Sequence, residues 1–342
     1  MFVGYSGYRI WPGSPGAPPV TITFKGSTMG TTYLVKLVGA TLSPQERSEL
    51  AVSIENRLDA INQMMSTYLP ASELSLLNAN PTTEPVRVAK ETFEVLKLAE
   101  QVSQSSNGAF DVTVGPLVNA WGFGPKPRQP LSNELLTQLR ARVGYQMLKL
   151  DPKTRTVAKS REDLSIDLSA IAKGYAVDQL GLLLKKAGHT NRMVEIGGEI
   201  AVSGINATGS PWRLGIEKPS PGGRRIQEIL SLNEGALATS GDYRNFVEIE
   251  GQRYSHTLDP RTGAPVLHQL ASVSVVALDC ASADAYATAL NVLGESAGFD
   301  LAISLNLAAF FIIRQPNGTF STKVTPEFEK YRAIMGSEPQ GK

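Results

Sequence analysis

In the segment DCASADAYATALN, residues 279–291, Asp284 and Thr288 stand four positions apart, a spacing that brings two side chains onto one face of a helix. A carboxylate and a hydroxyl so placed are hard oxygen ligands, the kind that Mg²⁺ takes together with the phosphates of a substrate. Asp279 or Ser282 can cap that helix. Alanines at 281, 283, 285, 287 and 289 keep it slim enough for another backbone or a phosphate to approach closely. Read without context, the same segment is also an alanine-rich packing helix with a solvated aspartate.

Three other segments concentrate polar chemistry. In SIDLSAIAKGYAVD, residues 165–178, a strand delivers Asp167 and a turn at 169–172 leads into a helix carrying Lys173, so backbone groups and one cation gather where an anion can rest. The spacing is not that of a Walker loop. In SNGAFDVTVGPLVNAWGFG, residues 106–124, glycines permit tight turns, and Phe110 and Trp121 offer apolar surface to a ring system. In YSHTLDPRTG, residues 254–263, His256 and Asp259 precede a Pro-Gly turn and are candidates for proton transfer or phosphate holding. His189 follows a helix-ending glycine and His268 falls in a polar loop. The stretches 196–204 and 236–246 add glycine turns near Glu195, Glu199 and Asp242, and read as strand-turn structure.

The elements that must hold these groups are those of an ordinary globular chain. Its 342 residues suffice for a sizeable core. Lys+Arg 33 against Asp+Glu 32 leaves no global field for a nucleic acid or an anionic membrane, so any anion is met locally. One cysteine, Cys280, excludes an internal disulfide or a multi-cysteine metal site. Residues 1–20, rich in Gly and Pro, read as a flexible lead-in without an export signal or lipid-attachment cysteine. No stretch reaches the roughly 18 apolar residues that a membrane helix needs.

Apolar periodicity predicts two strands joined by a glycine turn over 21–37. It predicts helices over 43–66, 89–105, 170–187 and 281–305, and short strands over 164–168, 193–196, 212–217, 226–232, 246–249 and 272–276. The mixture favours α+β over a βαβ winding. The Pro/Gly-rich loop 122–130 is the clearest internal break, within a domain spanning 21–335 that is followed by a short tail, 336–342.

Taken in chain order, STMGTTY (27–33), MSTY (65–68), GAFDVTVGPL (108–117), IDLSAIAKGYAVD (166–178), IGGEI (196–200), ATSGDY (238–243), HTLDPRTG (256–263) and SADAYATAL (282–290) resemble the ApbE family, the FAD:protein FMN transferases. The resemblance implies a T-fold-like α+β architecture. It also implies Mg²⁺-dependent splitting of the FAD pyrophosphate and attachment of FMN through a phosphoester to a Thr or Ser of a target protein. Carried over by motif, Asp284 and Thr288 match the metal ligands, with a backbone carbonyl placed at Ala170 as the third. Met29, Tyr68, Ala109, Phe110, Asp111, Asp167, Lys173 and the backbone near Leu258 match FAD contacts. Implied targets are subunits of ion-pumping NADH:quinone reductases and related electron-transfer complexes. The family's members are commonly exported lipoproteins, which implies a periplasmic or extracytoplasmic setting. His256 and Asp259 are the candidates for the base that takes the acceptor's proton. The same site would serve an FAD pyrophosphatase releasing FMN and AMP; a flavin binder without turnover has no need of the metal pair.

Overall fold

The structure, a computed structural model, describes residues 19–125, 131–219, 225–241, 246–249 and 252–333. The alternating stretch after residue 20 folds as a hairpin of β1 (Thr21–Thr28) and β2 (Thr31–Val38). Its turn falls at Met29 and Gly30, both at positive φ, and not at Gly26, which pairs with Tyr33 inside the ladder. Six further strands extend the same sheet: β3 (Arg192–Ile196), β4 (Glu199–Ser203), β5 (Glu234–Gly241), β6 (Leu270–Ala277), β7 (Ala308–Arg314) and β8 (Phe320–Val324). All neighbours pair antiparallel and the strands lie side by side in chain order.

Because successive side chains point to opposite faces of a strand, each strand feeds two cores. On one face Val35, Leu37, Val194, Ile196 and Ala236 pack with the helices α1 (Pro44–Met65), α2 (Lys90–Ser105) and α3 (Ala172–Lys186). The helix α4 (Cys280–Ser304) continues this layer, setting Ala283, Ala287 and Leu290 against Val273, Val275 and Phe311. On the other face Met193, Val202, Leu237, Val276, Phe310 and Ile312 are covered by a hairpin of Trp212–Glu217 and Ile226–Leu232 and by Phe328. This is the α+β architecture that the sequence predicts. Local signals set the helix starts: Ser43 and Glu46 form a capping box ahead of Pro44, and Leu50, Ile54, Leu58 and Ile61 turn inward at helical spacing.

Two expectations are corrected. Residues 164–168 join no ladder. Leu164, Ile166 and Leu168 are fully buried, and the backbone of Ile166 is held by the Asn78 amide, which donates to its carbonyl (2.8 Å) and accepts its N–H (2.7 Å). Alternation there serves a lone extended segment threading the core. The last long helix is broken: Gly294, at φ 80° and ψ −173°, interrupts α4. A smaller cluster of Leu117, Ala120, Leu139 and Leu258 packs with Phe123 and Leu131; of the expected break at 122–130, residues 126–130 lie outside the described residues, as does Asp242. No helix among the described residues is long and apolar enough to cross a membrane.

Candidate functional site

The site begins where α3 and α4 cross. A Cβ on Gly174 would lie 2.3 Å from the Cys280 carbonyl oxygen, so the two backbones touch there and only glycine fits. One turn further along α3, Asp178 accepts the N–H groups of Cys280 (2.8 Å) and Ala281 (2.9 Å). Asp279 accepts that of Ser282 (2.8 Å). The first-turn donors of α4 are thereby satisfied from two sides. Burial pushes the Asp178 carboxyl up to about 7 in spite of those two bonds.

This crossing sets a charge cluster in which two carboxylates are buried and one ammonium is half-buried. Asp284 is 5% exposed, not the solvated residue of the plain packing reading. Its Oδ2 accepts the Gly174 N–H at 3.1 Å, and its Oδ1 lies 3.8 Å from Lys173 Nζ. Lys173 in turn is held at 2.7 Å by Glu199 Oε1 on β4. Burial alone would lower the Lys173 pKa, but Asp284 and Glu199 outweigh it and hold the ammonium above its ordinary value. Burial pushes Glu199 up to about 7 against the pull of Lys173; the direction that matters is that Lys173 keeps its proton. Glu199 Oε2 is buried with no partner.

Two carboxylates thus face one ammonium, with one orphaned carboxylate oxygen and one reached only at ion-pair range. Buried oxygens of this kind call for a cation, so the residues fit a hard metal ion. No group of three or more His, Cys, Asp or Glu is placed to hold a metal among the described residues. The donors would therefore be mixed. Asp284 supplies a carboxylate, Thr288 a half-buried hydroxyl one turn along the same face, and the half-buried turn at Ala170 a carbonyl, with phosphates completing the set.

The expected flavin-contacting residues form a second group. The Asp167 N–H donates to Val112 O (2.7 Å), which ties the segment 165–178 to 106–124. Asp167 Oδ1 accepts from Ser169 N. Asp111 is consumed by its own chain: Oδ1 accepts from Thr113 N and Oγ1, and Oδ2 from Tyr145 N. Burial raises its pKa nonetheless. Ala109 and Phe110 are 1% and 2% exposed. The Phe110 ring lies in the core under the helices and is not the ligand-facing surface expected of it, which leaves the backbone to meet a ligand. The half-buried Trp121 donates from Nε1 to Gly263 O (2.9 Å), bracing the 256–263 turn.

Met29 is half-buried at the β1–β2 turn. Tyr68 is 63% exposed and donates its hydroxyl to Phe123 O at 3.4 Å. Partial burial and the nearby Asp167 charge raise its pKa, so Tyr68, Phe123 and Asp167 share one mouth. His256 meets the Phe123 ring edge-on at 6.3 Å between centroids. Leu258 is buried in a short pair with Pro265. The Asp259 carboxylate is gripped by Arg261 Nε (2.9 Å) and Nη2 (2.8 Å) and anchors the turn.

Glu199 and Asp178 are the residues that sequence reasoning left as structure. Glu199 follows two glycines at positive φ, a tight reversal that aims the first side chain of β4 at α3. Asp178 carries the one weaker signal, an acid inside a helix that also holds Lys173. A separate groove of about 390 Å³ behind the crossing reaches Asp178, Asp279 and Ala281 but neither Lys173 nor Asp284. Chemistry marks the site here, and size does not.

Known proteins resemble this chain in sequence and fold. The model of the ApbE family matches residues 29–311. An FAD:protein FMN transferase of Vibrio cholerae is 42% identical over 303 residues, 88% of this chain and 90% of that protein. One of Haemophilus influenzae is 41% identical over 317 residues, 90% of this chain and 91% of that protein. The solved flavin transferase ApbE from Vibrio cholerae superposes with a TM-score of 0.84 at 40% identity, covering 92% of this chain and 100% of the other. Apo flavinyl transferase ApbE of Pseudomonas stutzeri gives 0.83 at 37% identity, covering 93% and 98%.

Proposed function

This chain belongs to the ApbE family, and from that premise we propose that it is an FAD:protein FMN transferase that moves FMN from FAD to a Thr or Ser hydroxyl of a target protein. The observation that carries the reading is the Lys173–Glu199–Asp284 cluster beside Thr288, a half-buried ammonium between two buried carboxylates and an electrostatic centre suited to phosphates and a dication. The acceptor hydroxyl oxygen attacks the phosphorus on the FMN side. A new P–O bond forms, the bond from that phosphorus to the bridging oxygen breaks, and AMP leaves with that oxygen. When bound, Mg²⁺ supplies charge neutralisation at the pyrophosphate.

The chain's own residues do the rest. Asp284 and Thr288 would hold the cation, and the Lys173 ammonium sits where phosphate charge develops. The mouth at Tyr68, Phe123 and His256 orders the flavin end. His256 takes the hydroxyl proton, while Arg261 keeps Asp259 occupied in the turn. Family resemblance supports the finer parts: Mg²⁺ as the metal, AMP as the product, and acceptors on the extracytoplasmic face of the membrane in subunits of ion-pumping NADH:quinone reductases or related complexes.

Incubation with FAD, Mg²⁺ and a Thr-bearing acceptor is the test, read by the acceptor's mass. The acceptor gains one FMN in phosphoester linkage and AMP appears in equal amount. FMN set free at a rate indifferent to the acceptor would make the protein a pyrophosphatase; FAD bound without turnover would make it a carrier.

A further inference from the structure

Asp284, Thr288 and Asn291 follow at intervals of four and three along α4, so Asn291 continues the face that carries the metal-type donors. Asn291 is fully buried. Its side-chain amide donates twice, to Ser240 Oγ on β5 (3.1 Å) and to Thr257 Oγ1 (3.0 Å). Thr257, itself 7% exposed, stands between His256 and Leu258. One side chain therefore joins the helix of the charge cluster to the segment that borders the flavin mouth.

The backbone of Asn291 is fixed as well. A continuous helix would engage its carbonyl through the N–H of residue 295, but the break at Gly294 leaves that oxygen for His268, whose Nε2 lies 2.6 Å away. A carbonyl only accepts, so Nε2 carries the proton. The His268 ring fills the notch of the break: a Cβ on Gly294 would meet its Cδ2 at 2.8 Å. His268, expected in a polar loop, is a half-buried wedge. The Asn291 Oδ1 is buried with no partner, so the amide costs stability where it stands; leucine would fill the space at lower cost.

We propose that Asn291 is a positioning residue of the flavin site. It pins the 256–259 segment, and with it His256 and the backbone at Leu258, at a set distance from Asp284 and Thr288. This deepens the transferase reading and rests on its placement of FAD. Losing the Asn291–Thr257 bond loosens one wall of the FAD site and leaves the charge cluster intact.

The test is a double-mutant cycle on FAD binding in the presence of Mg²⁺, followed by flavin fluorescence. Asn291→Ala and Thr257→Val each weaken FAD by about tenfold, the scale of one buried hydrogen bond, and together they weaken it no further, because both remove the same link. Thr257→Ser, which keeps the hydroxyl, binds FAD like the parent, and Mg²⁺ affinity measured without FAD moves less than about twofold in all of them. The KM for FAD rises more than kcat falls. Should Asn291→Ala fail to fold, the contrast between Thr257→Val and Thr257→Ser decides alone. Parent-like FAD binding by Thr257→Val, or penalties that multiply in the double variant, overturns the inference. A parent that binds FAD but transfers nothing overturns the transferase reading and leaves the cycle readable, whereas a parent that binds no FAD overturns both.

Discussion

On the hairpin-covered face of the sheet, Trp212, Leu214, Ile216, Leu230, Leu232, Phe310, Ile312 and Phe328 close an apolar core. The sheet's buried polar groups there are hydroxyls such as Ser274, whose partner Thr239 lies 2.7 Å away. On the helix-covered face, the same alternation that turns Ala201 toward the helices buries Glu199, and α3 and α4 bring Lys173 and Asp284 to meet it. Burying an ion pair seldom adds stability over an apolar replacement. One face is therefore built to hold the sheet together, and the other carries a charge cluster that packing alone does not require. Substitutions on the two faces should separate stability from turnover.

Phe310→Ala on the apolar face removes a ring that is 1% exposed and stacked at 5.2 Å on Phe328. It should cost about 3–5 kcal/mol in denaturant unfolding, while the fraction still folded transfers FMN at the parental rate. A fall in turnover of the folded fraction would show that the faces are not separate. Asp284→Ala makes the opposite cut. Transfer at ordinary Mg²⁺ drops by at least about 100-fold with a smaller loss in denaturant unfolding than Phe310→Ala causes, since the Gly174 N–H loses its acceptor while Lys173 keeps Glu199; parental turnover would place the metal elsewhere.

Glu199→Gln sharpens the contrast inside the charged face. With its 2.7 Å partner neutralised, Lys173 is free to close on Asp284, and Mg²⁺ affinity by calorimetry without FAD should fall by about tenfold. An unchanged affinity would mean that Glu199 only fills space.

The smallest effect is a pH slope. The Asp178 carboxyl titrates near 7 in the fold against 3.8 as its ordinary value. Between those two values the native state holds the extra proton, so the contribution of Asp178 to stability declines as pH rises through that window. Asp178→Asn removes the decline. Its melting point relative to the parent's should therefore be higher at pH 8 than at pH 4.5, and a difference that shrinks with pH would reverse the sign argued here.

Much of this was legible in the chain because local rules carry it. The capping box at Ser43 and Glu46, the alternation of β1 and β2, and the four-residue step from Asp284 to Thr288 each state their structure within a few positions. What was hidden depends on partners far away. Alternation over 164–168 is the same whether a strand neighbour or the Asn78 amide takes the backbone groups. Phe110 looked like ligand surface, since an aromatic beside glycines gives no hint of which side the core lies on. Glu199 and Asn291 gain their roles only once α3, β5 and the 256–259 segment arrive, and Gly294 breaks α4 without any proline to announce it.

The strands of the sheet lie in chain order, yet β2 is followed by the stretch 39–191 before β3 appears. During synthesis at roughly 5–20 residues per second, that stretch takes on the order of ten seconds to emerge. All that time the inner edge of β2 stands with open backbone groups, in a hairpin too small to be stable alone. The helices α1 and α2 arrive within the interval and can cover the face of the hairpin but not its edge. The most vulnerable moment in the life of this protein therefore falls before its chemistry exists, and it ends when β3 pairs along that edge.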